Sequence, residues 1–193
     1  MPSSIQTNWG YSVASLPTLI SVADLQTLCP TLSATTGQLE AVLQKVSAAV
    51  RDWCGWHVAP SLECTYTGTG EGRLLMLPAM GVTGVSSLKV GSEAVTAYEW
   101  TAAGMVRLTE GAFPESWRSV ECVYTAGFMA DAVAQVVAQI ALNALVAAPG
   151  VREEHAGQVG ITYNATGSGI SGGVSILGRD RELLAPYKLA RAW

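Results

Sequence analysis

The pattern of hydrophobic and polar positions changes its period twice along the chain, and the first long stretch has a helical period. Apolar residues recur there at steps of three, four and seven, which places them on one helical face; they are Leu39, Val42, Leu43, Val46, Val50 and Trp53. Thr35 can cap the start of such a helix, and Gly55 can end it in a left-handed turn. The pattern predicts an amphipathic helix between these residues, with Ser47 and Arg51 off its apolar face.

A shorter helix is predicted before this one. Ser21-Val22-Ala23-Asp24 fits a capping box, in which the serine oxygen accepts from a free amide and the carboxylate reaches back to the start of the helix. The helix should run to Cys29, with Leu25 and Leu28 facing inward, because Pro30 cannot continue it.

From Leu62 to Tyr124 the period changes to two, as in half-buried strands. Leu62, Cys64 and Tyr66 alternate with polar residues, and the stretch from Val120 to Tyr124 alternates in the same way. Further short strands are predicted at 73–77, 85–90, 94–98 and 105–108, separated by glycines that permit tight turns. The segment therefore predicts a small antiparallel sandwich or barrel.

A helix without internal charge is predicted from Asp131 to about Ala148. Its length could suggest a membrane span, but Gln135, Gln139 and Asn143 repeat at four-residue steps and form a polar stripe. We therefore interpret it as a helix packed on most sides in a water-soluble protein.

Together these segments predict an α+β protein: a small helical bundle with an inserted antiparallel β-sandwich or barrel-like domain and extended N- and C-terminal arms. The predicted parts are an N-terminal arm (1–20), a helical core (21–59 and 129–150), an inserted β domain (60–128) and a glycine-rich C-terminal arm (151–193) that orders against a partner.

Composition indicates protein partners rather than nucleic acid. Only 13% of the 193 residues are charged and the net charge is −4, so the chain lacks the clustered basic face of a DNA-binding protein. The hydrophobic fraction is 49%, more than an isolated small domain needs, which favours surfaces buried against other chains. Four unpaired cysteines and an N-terminus without a basic region favour an intracellular protein with reduced thiols.

The chain contains no convincing catalytic, cofactor or metal site. Gly167–Gly172 matches a dinucleotide-binding pattern, but the helix and acidic residue that such a site needs have no room to follow it. Gly169–Gly173 matches a hydrolase pattern, yet no histidine follows Ser171. Cys54 and His57 lack a second ligand pair, and His57 is interpreted as a residue leaving the core at a helix end. We expect no enzyme activity, no cofactor and no metal.

The tryptophans leave two interpretations open. Trp53, Trp56, Trp100 and Trp117 could form a stacking surface for sugars, which would make the chain a carbohydrate-binding or tail-associated β-sandwich module. Alternatively they are core and interface anchors, which the position of Trp53 on the apolar helical face favours. Trp9 and Trp193, near the two ends, suit anchoring in another chain.

Four segments in order resemble the head-tail connector (adaptor) proteins of long-tailed double-stranded DNA bacteriophages. These segments are Trp53–Pro60 (WCGWHVAP), Gly70–Pro78, Val120–Phe128 (VECVYTAGF) and Leu183–Tyr187 (LLAPY). The resemblance covers about residues 21–190, and its specificity resides in the order of the segments rather than in any one of them.

The resemblance implies a structural virion protein of the neck, assembled in the host cytoplasm. Such proteins form a homo-oligomeric ring, usually a dodecamer, beneath the portal protein; the ring extends the DNA channel and attaches the stopper or tail-completion protein during virion assembly and DNA ejection. Genomic double-stranded DNA would pass through the lumen without sequence-specific binding, and no membrane is involved.

Two groups of interface residues are predicted on this basis. The candidate portal-docking arm comprises Ile176, Leu177, Arg179, Leu183, Leu184, Pro186, Tyr187 and Trp193. The candidate ring interface comprises Gln135, Gln139, Asn143, Trp9 and Tyr11, because a head-to-tail ring needs two different complementary patches on each subunit.

Overall fold

The computed structural model describes residues 4–146, 153–156, 159–162 and 174–189. Its helices are α1 (Val22–Leu28), α2 (Thr36–Cys54), α3 (Asp131–Val146) and α4 (Gly178–Leu184), the last followed by a 3-10 turn at Ala185–Tyr187. Its strands are β1 (Ile5–Gln6), β2 (Tyr11–Val13), β3 (Leu62–Gly68), β4 (Leu74–Met76), β5 (Val82–Val90), β6 (Glu93–Ala94), β7 (Tyr98–Trp100), β8 (Met105–Leu108), β9 (Val120–Ala126), β10 (Glu153–Ala156) and β11 (Val159–Thr162). These elements confirm the predicted α+β class.

The capping box at the start of α1 is confirmed. Ser21 Oγ accepts from the Asp24 amide at 3.1 Å, and Asp24 Oδ2 accepts from the Ser21 amide at 3.0 Å. Hydrogen bonds from the side chain and the backbone of Ser21 lower the pKa of Asp24. The prediction that Leu28 faces inward is wrong, since this short helix buries only Leu25.

Helix α2 buries more of its surface than its apolar residues predict. Leu39, Leu43, Val46 and Val50 are buried as expected. Ser47 and Arg51, expected off the buried face, are buried as well. For Ser47 the reason is the segment before α1: the Leu19 amide donates to Ser47 Oγ at 2.9 Å, so this segment covers that side of the helix.

The larger sheet has six antiparallel strands in the order β1-β2-β3-β9-β5-β6. Its centre is the pairing of β3 with β9, in which Cys64 lies opposite Tyr124 and Tyr66 opposite Cys122. The N-terminal hairpin joins this sheet through β2, with Tyr11 opposite Tyr66. Its edge strands β1 and β6 do not pair with each other in the described part of the chain, so the sheet does not close into a barrel there.

A second sheet has three antiparallel strands in the order β4-β8-β7. The predicted strand over 94–98 is wrong: strands lie at β6 and β7 instead. Between them the Val95 amide donates to the Leu88 carbonyl and the Tyr98 amide to the Thr96 carbonyl, which turns the chain. Separately, β10 and β11 form a hairpin in which Glu153 lies opposite Thr162.

The chain forms two compact units. The first contains the described residues of Met1–Pro17, Gly55–Met129 and Leu189–Trp193, and the second those of Thr18–Cys54 and Ala130–Lys188. We call the first the β unit; its core comprises Tyr11, Trp56, Cys64, Leu88, Cys122 and Tyr124. We call the second the helical unit; its core comprises Leu25, Leu39, Leu43, Val50, Val137, Ile140 and Leu184. These two units do not test the predicted division into arms, a helical core and an inserted domain, which stays a prediction.

Candidate interaction surfaces

Tyr11 and His57 form a buried hydrogen-bond network in the β unit. His57 Nε2 lies 2.9 Å from the Ala126 carbonyl, and His57 Nδ1 lies 2.7 Å from the Tyr11 hydroxyl. A carbonyl only accepts, so in the neutral imidazole Nε2 carries the proton and Nδ1 accepts from Tyr11. The Tyr11 oxygen in turn accepts from the His57 amide at 3.0 Å.

This network corrects the interpretation of His57. The residue does not leave the core: its relative exposure is 0%, and it ties β2, the turn after α2 and the end of β9 together. Tyr11 is also buried, at 1% exposure, so its side chain serves the core and offers little surface to a ring neighbour. Trp9 is half-buried, with its ring centroid 6.1 Å from that of Tyr11.

The polar stripe of α3 lies on the surface of the helical unit. Gln135 and Gln139 are exposed and Asn143 is half-buried. Gln139 Nε2 donates to Asn143 Oδ1 at 3.1 Å, a contact that the four-residue separation along the helix permits. Together they offer amide donors and acceptors.

The candidate docking arm folds partly onto its own unit. Leu184 is fully buried, and the Tyr187 hydroxyl donates to the Ala132 carbonyl at 3.1 Å. Lys188 Nζ lies 4.9 Å from the centroid of the Trp53 ring, within the range of a cation–π contact. The short helix α4, which the sequence did not predict, creates this inner face.

The remaining arm residues are accessible to a partner in different degrees. Arg179, Leu183 and Pro186 are exposed, and Ile176 and Leu177 are half-buried. Trp193 lies outside the described residues. The arm therefore has an inner face that packs on its own subunit and an outer face, around Leu183, that is open to another molecule.

The three-stranded sheet exposes a hydrophobic face that sequence reasoning missed. Residues paired across neighbouring strands share a face of a sheet, and the pairs Leu74 with Arg107, Arg107 with Glu99, and Met76 with Met105 define one face. Leu74, Met76 and Met105 are 45%, 55% and 39% exposed. We call these five residues the outer face. The sequence indicates this face through β4, because all three of its residues are apolar and neither side of the strand is polar.

The loop between β8 and β9 exposes Trp117 at 86%. The loop is anchored at Phe113, which is buried and whose amide donates to the Gly72 carbonyl at 2.7 Å. Its other end is held where the Arg118 amide donates to Thr69 Oγ1 at 3.0 Å. Arg118 has a φ of 53°, a conformation that costs energy in a non-glycine residue. The backbone is therefore anchored on both sides of an exposed indole.

The tryptophans do not form one platform for a sugar. Trp56 is fully buried, and Trp53 is half-buried beneath Lys188. Trp100 pairs with Val106 and so lies on the side of the small sheet opposite to the outer face. Trp117 lies in the separate loop. These positions give no support to the carbohydrate-binding interpretation.

Three of the four cysteines have buried thiols of low reactivity. Burial raises the pKa of Cys54, Cys64 and Cys122 to about 12, so these thiols stay protonated at neutral pH. Among the described residues there is no cluster of three histidine, cysteine or acidic side chains that could hold a metal ion. Nor does any helix in the described ranges have the length and apolar character needed to cross a membrane.

Known protein families and curated proteins give no match to the chain. Solved structures do. One is a chain from the neck of an empty gene transfer agent (GTA) particle, computed with C6 symmetry. It aligns with a TM-score of 0.59 and 19% identity, over 93% of this chain and 94% of its own. A second chain comes from the neck of the native GTA particle, computed with C12 symmetry. It aligns with a TM-score of 0.57 and 19% identity, over 100% of this chain and 97% of its own.

A third match extends the same likeness. A chain from the virion of the native gene transfer agent (GTA) particle aligns with a TM-score of 0.60 and 17% identity, over 95% of this chain and 97% of its own. The alignments span nearly the whole of each chain, so the likeness includes both the helical and the β segments. The protein therefore shares its fold with chains of the gene transfer agent particle, two of which come from the neck.

Proposed function

We propose that the protein is a structural head-tail connector (adaptor) of a phage-like virion. In this proposal identical subunits form a ring, with twelve copies as the expected number, beneath the portal protein. The ring extends the DNA channel and provides the platform on which the stopper or tail-completion protein assembles. The protein acts by binding and positioning other chains, without catalysis.

The observation that carries the proposal is the likeness in fold over nearly the whole chain to neck structures computed with C6 and C12 symmetry. The four sequence segments that resemble phage adaptors are independent support, because that resemblance depends on residue order alone. The likeness to an assembled neck favours a repeated, ring-forming subunit over an isolated binding module.

The surface of the subunit suits repeated protein contacts. A ring with cyclic symmetry joins subunits through two different patches on each copy. The polar stripe of α3, the outer face and Trp117 offer patches of different chemistry. In this proposal the exposed side of α4 around Leu183 contacts the portal, while Leu184 and Tyr187 hold α4 on the helical unit.

The charge of the protein suits a channel through which DNA slides. Every lysine or arginine contact to a phosphate adds affinity and friction. With 11 basic and 15 acidic residues, the subunit offers no net attraction to the backbone. Genomic DNA could therefore pass a ring of these subunits without being retained.

Mass photometry of the purified protein, alone and mixed with the portal ring of the same particle, tests the proposal. We expect a portal complex heavier than the portal by a fixed multiple of the subunit mass. A protein that leaves the portal mass unchanged over a wide concentration range would contradict the proposal.

A pair of leucine variants locates the contact. Leu183→Asp should abolish portal binding, because it places a charge on the exposed side of α4. Leu28→Asp, at an equally exposed leucine of α1, should bind like the unmodified protein. Equal binding by both variants would remove α4 from the portal interface and leave the ring assignment in place.

A further inference from the structure

We infer that Trp117 of one subunit docks on the outer face of the neighbouring copy and forms part of the ring interface. This inference rests on the proposed ring function and names a contact within it. Both partners are described in the same β unit: an exposed indole on a loop, and an exposed apolar face on the three-stranded sheet.

The loop is built to present the indole rather than to hide it. Phe113 and the Arg118 amide anchor the loop before and after Trp117, and Arg118 adopts a φ of 53°, which is strained for a residue other than glycine. Strain of this kind persists where the surrounding structure determines it and is frequent at functional positions. A tryptophan on an anchored backbone loses less conformational freedom on binding than one on a free loop, and tryptophan is common at interface hot spots.

The outer face has the chemistry to receive an indole. Met76 and Met105 lie opposite each other on adjacent strands, with Leu74 on the same side. Methionine sulfur makes favourable contacts with aromatic rings, and its flexible side chain adapts to their shape. Arg107, on the same face, can lie over an indole as a cation–π partner.

Charges around the two patches are complementary. Glu115 and Arg118 are exposed beside Trp117, and Glu99 and Arg107 are exposed on the outer face. None of these four forms a salt bridge with another described residue. A neighbouring copy can therefore place Glu115 near Arg107 and Arg118 near Glu99, so that the acid and base of each patch meet their opposites.

The partner that fits is a second copy of this chain. A head-to-tail contact needs a projecting patch and a different receiving patch on every subunit, and this chain carries both. One indole on three apolar side chains buries far less than the ~1,200 Å² of total surface that a stable pairwise complex needs. The contact therefore forms where other contacts already hold the copies together, as in a ring.

Photo-crosslinking tests the contact directly. Trp117 is replaced by p-benzoylphenylalanine, and a mixture of isotopically light and heavy protein is irradiated alone and on the portal ring. We expect crosslinks from position 117 to peptides containing Met76 or Met105 of the second copy. Portal binding with intermolecular crosslinks only at other sites would overturn the inference and leave the proposed function standing. Failure of the unmodified protein to bind the portal ring in the same assay would overturn the proposed function, and the inference with it.

Charge reversal provides a second test within the same ring. Glu115→Arg and Arg107→Glu should each weaken assembly about tenfold, because like charges then meet across the contact. The double variant should return assembly to within about threefold of the unmodified protein. Glu110→Arg, which reverses another exposed acid of the same loop, is the control and should change nothing. A double variant at least as weak as both single variants combined would overturn the pairing.

Truncation of the indole gives the size of the effect. Trp117→Ala should weaken assembly about 30-fold, as expected of an interface hot spot. Met129→Ala, at an apolar residue that is 75% exposed outside both patches, should assemble normally. Normal assembly of the Trp117 variant would show that the indole has no part in the ring.

Discussion

His57 joins separate segments of the β unit through its ring and its backbone amide. It follows a helix end and a turn, where a polar side chain is expected to leave the core, yet its ring is enclosed between Tyr11 and the Ala126 carbonyl. Periodicity could not reveal this, because the partners come from distant parts of the chain. The core tyrosines Tyr11 and Tyr124 show how differently two buried hydroxyls can be placed: the Tyr124 hydroxyl has no nitrogen or oxygen partner among the described residues.

Removal of the two hydroxyls should therefore affect the free energy of unfolding differently. Tyr11→Phe removes the hydrogen bond that the hydroxyl donates to His57 Nδ1 and the one it accepts from the His57 amide, so we expect a loss of about 1–3 kcal/mol in the free energy of unfolding. Tyr124→Phe removes a hydroxyl whose hydrogen bond is to the Cys64 thiol, a weak partner, and should change the free energy of unfolding by less than about 1 kcal/mol. Urea denaturation of both variants measures this, and an equal loss in both would show that the His57 network adds no stability.

The buried thiols make stability depend on alkaline pH. Cys54, Cys64 and Cys122 have pKa values raised to about 12 by burial, against 9.0 for a free thiol. Above pH 9 the unfolded chain therefore releases protons that the folded chain retains, so the free energy of unfolding falls as pH rises from about 9 to 12. Thermal denaturation at a series of pH values from 9 to 12 should show this fall in stability. Replacement of the three cysteines by alanine should make stability depend less steeply on pH.

Among the elements, α4 separates what sequence could and could not predict. The α2 helix was predictable because six apolar residues repeat at helical spacing. The α4 helix is too short to show a period, and only its contacts, Leu184 in the core and the Tyr187 hydroxyl on Ala132, define it. Ser47 and Arg51 were missed for the same reason: their burial depends on neighbouring segments.

Adjacent leucines of α4 distinguish packing from docking. Leu184→Ala removes a fully buried side chain and should lower the free energy of unfolding by about 2–5 kcal/mol. Leu183→Ala, at a position 52% exposed, should stay within about 0.5 kcal/mol of the unmodified protein. Chemical denaturation of both decides the matter. A Leu184 variant as stable as the unmodified protein would mean that α4 adds nothing to the fold of the helical unit.

At the level of the entire molecule, the sparse charge bears on its contact with nucleic acid. The net charge of −4 predicts no retention of double-stranded DNA. Fluorescence anisotropy with a labelled duplex at 150 mM salt should show no binding below about 100 µM, the weak end of non-specific affinity. Micromolar binding would indicate a basic surface and would argue against passive passage of DNA.

The order of the strands also governs how the chain can fold as it is made. Strand β2 at Tyr11–Val13 must wait for β3, and β3 must wait for β9 at Val120–Ala126 before the centre of the large sheet is complete. During translation the first strands therefore emerge from the ribosome long before their partners, and loop closure over such separations is slow. Nascent chains that stop before Val120 would carry unpaired β edges, which makes them natural clients for chaperones and targets for proteases.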